Sequence, residues 1–291
     1  MINRPKPEKF RLRRTMMFMN AQKPGLIKDA YIYGSDSIIL DLEDAVAENQ
    51  KDAARFSLYQ ALKNVDYGDT EVIVRINGLD TPHWQEDIRA VVAGGADGIR
   101  IAKCESAADV KLVEEHVLAA EKEFGVEEGR TLLMAALESP KGIMNAYEIV
   151  SASDRIFGCA ISGGDFRKSM HVQINRGGIE MLAARSQMLL AARAANVQCF
   201  DTMYPNIDDM EGFEAEVKQN REMGFDGKSI VNPRQIAFVH ETFAPTPKEI
   251  AYAEKLVRSF NEQADSGVGV YTVDGKMVDI PFLKMQDALL L

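Results

Sequence analysis

Two acidic residues, Glu138 and Asp165, each close a run of apolar and small residues: Thr131-Leu-Leu-Met-Ala-Ala-Leu-Glu-Ser139 and Arg155-Ile-Phe-Gly-Cys-Ala-Ile-Ser-Gly-Gly-Asp165. Each run reads as a strand that stops at a carboxylate, with helix-like sequence beyond it. In a parallel α/β protein both acids would stand at the carboxyl edge of the sheet, where ligands bind. Two hard oxygen donors facing one cavity suit Mg²⁺, which keeps several waters and takes the rest of its octahedron from substrate oxygens. A lone strand-end acid is more often a solvated loop group or a helix cap, so the weight rests on what surrounds these two.

The other strand ends are polar as well. Ser37–Leu42 leads into Glu43-Asp44, Glu71–Val74 into Arg75-Ile-Asn77, and Gly98–Ala102 into Lys103. Asp201 and the turn Asn232-Pro233-Arg234-Gln235 close two later runs. Several such residues at successive strand ends read better as one catalytic mouth than as scattered surface polarity. Their types fit one reaction. Mg²⁺ would polarise the hydroxyl and carboxylate of a substrate. An arginine beside it would clamp a carboxylate or stabilise an enolate-like oxygen. The reaction suggested is making or breaking a C–C bond next to a carbonyl.

Competing chemistries have little footing. His83, His116, His171 and His240 form no HxH or HExxH spacing, which disfavours a histidine metal site. Ser162-Gly-Gly-Asp165 lacks the GxSxG elbow, and no Ser/His/Asp arrangement can be traced. Cys104, Cys159 and Cys199 are widely spaced and odd in number, which fits a reducing compartment without a disulfide or zinc signature. Met16-Met17-Phe18-Met19 reads as buried strand.

What must position these residues is an alternation of short apolar runs and amphipathic stretches. The runs are 15–20, 37–44, 71–77, 98–103, 131–139, 155–166, 197–204 and 227–233; helical patterns occupy 51–63, 84–93, 107–124, 142–152, 179–195 and 212–223. Such an alternation over about 250 residues predicts a TIM (β/α)₈ barrel. A doubly wound sheet is the main competitor, and the absence of a Gly-rich dinucleotide fingerprint disfavours it. The expected division is a barrel over residues 1–245 and a C-terminal extension over 246–291. The Pro-punctuated break Phe243-Ala-Pro-Thr-Pro-Lys248 separates them. The extension reads as a helix, a Gly-rich link, a hairpin around Asp274-Gly275 and an apolar end, a candidate lid or arm. A net charge of −10 argues against nucleic acid or an anionic membrane as partner. With no secretory h-region and no apolar run of about 20 residues, the chain reads as cytoplasmic.

Longer strings make the reading specific. Arg13-Arg-Thr-Met-Met-Phe18, Ser37-Ile-Ile-Leu-Asp-Leu-Glu-Asp-Ala-Val46, Val74-Arg-Ile-Asn-Gly-Leu-Asp80, Leu137-Glu-Ser-Pro-Lys-Gly142, Gly224-Phe-Asp-Gly-Lys-Ser-Ile-Val-Asn-Pro-Arg-Gln-Ile236 and Asp274-Gly-Lys-Met-Val-Asp279 resemble the family of citrate lyase β subunits and of citryl-CoA, malyl-CoA and citramalyl-CoA lyases. The likeness covers nearly the whole chain. It implies a Mg²⁺-dependent TIM barrel with Glu138 and Asp165 as metal ligands. Arg75 would contact the substrate carboxylate and the developing enolate, with Glu43 and Asp44 behind it ordering water on the metal. Arg14 and the Lys228–Gln235 turn, with Asn232, Pro233 and Gln235, would line a channel for the pantetheine arm of coenzyme A or an acyl carrier. A trimer, or a multiple of one, would bring Asp279 of one tail over a neighbour's site.

The implied activity is cleavage of a citryl thioester to oxaloacetate and an acetyl thioester, alongside acyl carrier and acyltransferase subunits. A free-standing malyl-CoA or citramalyl-CoA lyase is the nearest alternative. A barrel that has lost catalysis and serves as a binding subunit is the alternative of another class. Two departures from the family pattern bear on this: Ala102 precedes Lys103 where proline is usual, and Gly164 precedes Asp165 where glutamate is usual.

Overall fold

Parallel strands need a crossover between them, and the amphipathic stretches supply it. In the computed structural model, which describes residues 5–263 and 270–279, eight strands close into a barrel in sequence order. They are β1 (Thr15–Asn20), β2 (Ser37–Asp41), β3 (Glu71–Arg75), β4 (Gly98–Ile101), β5 (Leu132–Leu137), β6 (Ile156–Ile161), β7 (Gln198–Asp201) and β8 (Gly227–Ile230). Every pairing around the barrel is parallel, and β8 returns to β1. The intervening helices are α1 (Pro24–Ile27), α2 (Lys51–Asn64), α3 (Trp84–Gly94), α4 (Ala107–Phe124), α5 (Pro140–Met144), α6 (Ala146–Val150), α7 (Gly163–Ser169), α8 (Ile179–Ala194), α9 (Met210–Met223) and α10 (Ile236–Phe243). The barrel expected from the sequence is therefore the fold.

The expected runs overshoot several strands at the carboxyl end. β2 stops at Asp41, so Glu43 and Asp44 lie in the loop beyond it. The run into Asp165 breaks after Ile161, and Asp165 sits in the first turn of α7 instead of at a strand end. The helix expected over 142–152 divides at Asn145, whose side-chain amide donates to the Glu105 carbonyl at 2.9 Å.

Side chains alternate across a strand, and the register sorts the barrel into two faces. Met16, Ile39, Ile73, Met134, Ala160 and Phe200 form one interior cluster. One step toward the carboxyl ends the same alternation turns Phe18, Asp41, Arg75 and Arg100 inward, with Asp41 beside Arg75 and Arg75 beside Arg100 across the sheet. The amino end is plugged: Arg13 pairs with Glu71 at 2.7 Å, and Ser37 donates to the same carboxylate at 2.6 Å.

The chain divides into compact units at 241/242, a few residues before the expected 245, because it leaves the barrel within the last turn of α10. In the second unit, α11 (Pro247–Gln263) packs Leu256 against Val273 and Val278 of a hairpin. Its strands are β9 (Val270–Val273) and β10 (Lys276–Asp279). Asp274 and Gly275 both take positive φ, the conformation a tight two-residue hairpin turn requires. The expected hairpin is present.

Candidate active site

A cavity of about 370 Å³ opens among residues at the carboxyl ends of the strands, lined by Phe18, Asp41, Asp44, Arg75, Arg100 and Asp165 among others. Arg75, the last residue of β3, is buried and held on two sides. Its Nε donates to Asp41 Oδ1 at 2.7 Å, its Nη2 to Asp41 Oδ2 at 2.6 Å, and its Nη1 pairs with Glu43 Oε2 at 2.9 Å. This grip uses three of the five guanidinium N–H groups, and Asp44 lies 3.8 Å from Nη1. Burial opposes the charge on Arg75, but Asp41 and Glu43 outweigh it and raise its pKa further.

Glu43 is itself buried and pairs with Lys103. Burial raises its pKa, yet Arg75 and Lys103 together hold it below the ordinary carboxylate range. Asp44 lines the cavity 3.8 Å from Arg75; burial and the neighbouring Glu43 push its pKa up. Lys103 reaches Glu43 from a left-handed backbone, φ 50°, a conformation costly for a side-chain-bearing residue.

Glu138 immediately follows β5 and is fixed by the start of α5. Ser139 adopts extended backbone and accepts from the Gly142 amide at 3.2 Å, with Pro140 in the first helical turn. That is the arrangement a helix start favours. A Cβ on Gly142 would meet the Cys104 carbonyl oxygen at 2.8 Å, so glycine there lets the β4 loop and α5 approach. Glu138 is only 2% exposed. Its Oε1 accepts from Ser162 Oγ at 2.9 Å, while Oε2 has no partner among the described residues. Burial drives its pKa up to about 7, against the pull of Arg100 and Arg75.

An orphaned, buried carboxylate oxygen is costly unless something binds it, and a divalent cation would. Asp165 and Ser162 line the cavity; Glu138 lies behind its wall and is linked to it through the Ser162 hydroxyl. Among the described residues no group of three His, Cys, Asp or Glu side chains forms a metal cluster. An all-protein cage is thus absent, and two carboxylates with open positions for water and substrate is the donor set Mg²⁺ prefers. Gly164 faces open space, with nothing within 4 Å of where a Cβ would stand.

None of the five residues expected in the channel lines this cavity. Arg14 precedes β1 and pairs with Asp36, which precedes β2, at 2.9 Å; both lie at the amino end, opposite the mouth. Lys228 alternates with the cavity-lining Ser229 and therefore points outward, fully buried beneath the helices. There it meets Glu216 at 2.6 Å and Asp201 at 2.9 Å, and Asp201 in turn holds Arg185 at 2.8 Å. Lys228 and Asp201 are structural ions and not members of the rim. Asn232 and Gln235 cap their own turn: Asn232 Oδ1 accepts from the Arg234 amide, and the buried Gln235 accepts from the amides of Val231 and Asn232. Pro233 begins that turn, and Val231, not these three, reaches the cavity wall. Asp279 ends β10; its side chain lies outside the described residues.

The structure also adds residues that the sequence reading passed over. Asp41 anchors Arg75. Phe18, one of the four residues taken as buried strand, places its ring 5.2 Å from Arg75 and 5.1 Å from Arg100, a distance at which a guanidinium is attracted to an aromatic face. Arg100 and Ser162 complete the wall. The signal for Asp41 and Arg100 was available: a charged residue on the inward period of an apolar barrel strand.

Residues 14–233 match the HpcH/HpaI aldolase/citrate lyase family. The chain is 49% identical to the citrate lyase subunit beta of Leuconostoc mesenteroides subsp. cremoris, over 93% of this chain and 90% of that one. It is 36% identical to a (3S)-malyl-CoA thioesterase of Cereibacter sphaeroides, over 91% of this chain and 89% of that one. A crystal structure of protein CitE from Mycobacterium tuberculosis in complex with magnesium, acetoacetate and coenzyme A superposes with a TM-score of 0.78 at 29% identity, over 95% of this chain and 96% of that one.

Proposed function

The chain belongs to the HpcH/HpaI aldolase/citrate lyase family. We propose that it is a Mg²⁺-dependent carbon–carbon lyase that cleaves a citryl thioester into oxaloacetate and an acetyl thioester, the work of a citrate lyase β subunit. The observation that carries this reading is the orphaned Oε2 of buried Glu138 beside a cavity walled by Asp165, Arg75 and Arg100. Glu138 and Asp165 would hold the ion, which when bound supplies Lewis-acid polarisation of the substrate hydroxyl and its neighbouring carboxylate.

In the cleavage the hydroxyl gives its proton to water in the open cavity, the C–C bond breaks, and its electron pair collects as the thioester enolate. Protonation of that carbon then gives the acetyl thioester. Arg75 is suited to the developing negative oxygen, because Asp41 and Glu43 hold its guanidinium in place before substrate arrives. A preorganised donor stabilises charge without moving at the moment of reaction. Asp279 is assigned the proton exchange at the thioester carbon, from the tail of a neighbouring subunit in a trimer. The acyl group would arrive on an acyl carrier subunit loaded by an acyltransferase subunit.

The likeness to a malyl-CoA thioesterase supports a second reading, a free-standing lyase acting on malyl-CoA or citramalyl-CoA. One assay separates them. Purified protein with Mg²⁺ is offered citryl-, malyl- and citramalyl-CoA, and the released 2-oxo acid is reduced by a coupled NADH-dependent dehydrogenase. Preference for citryl-CoA, abolished by EDTA, is expected. Preference for either of the other thioesters favours the second reading, and turnover of none removes the lyase assignment.

A further inference from the structure

Arg100 is an unusual residue for the middle of a barrel strand. It lies on β4 at register with Arg75, is 1% exposed and lines the cavity. Its Nη2 donates to Ser162 Oγ at 2.9 Å, but Nε and Nη1 have no acceptor among the described residues. Arg75, by contrast, is matched to Asp41 and Glu43, and Glu43 is matched again to Lys103. The acid that most favours the charge on Arg100 is Glu138, and the Ser162 hydroxyl bridges the two, accepting from the guanidinium and donating to the carboxylate. Burial and the adjacent Arg75 lower the Arg100 pKa to about 10. The cavity thus presents a buried cation whose donors the protein leaves unmatched, and an unmatched buried donor is expensive in the absence of a ligand. An incoming anion removes that cost.

Resting on the lyase reading above, we infer that Arg100 selects substrates whose 2-oxo acid half carries a second carboxylate, which its unmatched N–H groups bind. A hydroxyl and the carboxylate on the same carbon form a compact pair suited to one divalent cation. A citryl thioester has a further carboxylate one methylene away, and Arg100 is the cavity-lining cation whose buried donors have no partner among the described residues. A thioester with methyl in place of that carboxymethyl group offers Arg100 nothing. A site built to hydrogen-bond a polar group discriminates strongly against the analogue that lacks it, because the site's donors are left unpaired.

The experiment compares wild type, Arg100→Met and Arg100→Lys with citryl-CoA and citramalyl-CoA, which share the thioester and the hydroxyl-bearing carbon. Both thioesters lose whatever Arg100 contributes through Ser162 and Glu138, so the decisive quantity is the ratio: Arg100→Met is expected to lower the preference for citryl-CoA over citramalyl-CoA, as a ratio of kcat/KM values, by about 100-fold. Arg100→Lys keeps the charge and should recover part of the preference, and it stands in if Arg100→Met does not fold. In parallel, oxaloacetate and pyruvate are titrated calorimetrically in Mg²⁺. The variants should weaken oxaloacetate binding at least about tenfold more than pyruvate binding. Equal losses on both thioesters, or on both 2-oxo acids, overturn the inference. If the wild type turns over no thioester, the lyase reading fails, and the two 2-oxo acids still decide whether Arg100 reads the second carboxylate.

Discussion

Glu138→Gln tests the metal site without requiring any turnover. In the metal-free protein the Glu138 carboxyl is pushed from an ordinary 4.5 up to about 7, chiefly by burial. The folded chain therefore keeps this proton to about pH 7, whereas the unfolded chain releases it near its ordinary value. Between those limits the folded state binds more protons, so stability falls as pH rises through the window and levels off above it. A displacement of this size corresponds to roughly 3 kcal/mol, or roughly 6 °C of melting temperature for a chain of this length. Glutamine mimics the protonated acid and has no such dependence. In EDTA, the melting temperature of wild type minus that of Glu138→Gln should drop by roughly 6 °C from pH 5 to pH 8, other carboxylates cancelling in the difference. Mg²⁺ should then restore the wild type above pH 7, by about 2.7 kcal/mol at a hundred times its Kd, and should do far less for the variant. Parallel melting curves from pH 5 to 8, or equal Mg²⁺ shifts in both proteins, would refute the assignment.

Three further outcomes follow from the site. Arg75→Lys keeps a charge but loses the fork that grips Asp41, and kcat should fall by about 100-fold, the scale of one lost oxyanion donor; near-normal turnover would show that the guanidinium does not act on the transition state. Lys228→Met leaves Asp201 and Glu216 with Arg185 alone, and loss of one partner of a buried ionic cluster should cost about 3 kcal/mol in chemical denaturation. Its KM for coenzyme A thioesters should stay within about twofold, since Lys228 points away from the cavity. Asp279→Asn subunits and Arg75→Ala subunits should each be inactive and regain activity when mixed, because a shared site can be rebuilt from one intact half of each. Failure to recover turnover once subunit exchange is confirmed by mass spectrometry would rule out the shared arrangement.

The barrel was legible because its signals are local. Each apolar run sits between Gly or Asp turns and an amphipathic stretch, and β1 and α4 match the expected bounds residue for residue. For α4 the reason is chemical: Ser106 and Asp109 form a reciprocal cap that can be read directly from their spacing. The strand ends were less legible. Hydrophobicity continues past the last strand residue in Leu42, Ile76 and Ala102, since these residues stay buried after the strand stops. Local apolarity reports burial and not pairing, so Asp165 was assigned to a strand end while its backbone had already entered α7.

The site was legible by residue type and not by direction. Lys228 and Ser229 are neighbours in the chain and lie on opposite faces of β8, so a motif that includes both cannot say which one meets substrate. Once one inward residue is known the period of two assigns the rest, sending Lys228 and Asp201 to the helix layer and Arg75, Arg100 and Asp41 to the mouth. Arg14 failed for a related reason: it sits beside β1 in sequence, but before the strand begins, and a parallel barrel separates its two ends by a full strand length. Arg100 escaped notice because arginine within Gly-Ile-Arg-Ile reads as an interruption of a hydrophobic strand. In a barrel the interruption is the informative residue. A buried guanidinium on the inward face is tolerated only where acids or a ligand answer it; Asp41 and Glu43 are engaged by Arg75 and Lys103, and Glu138 meets Arg100 only through Ser162.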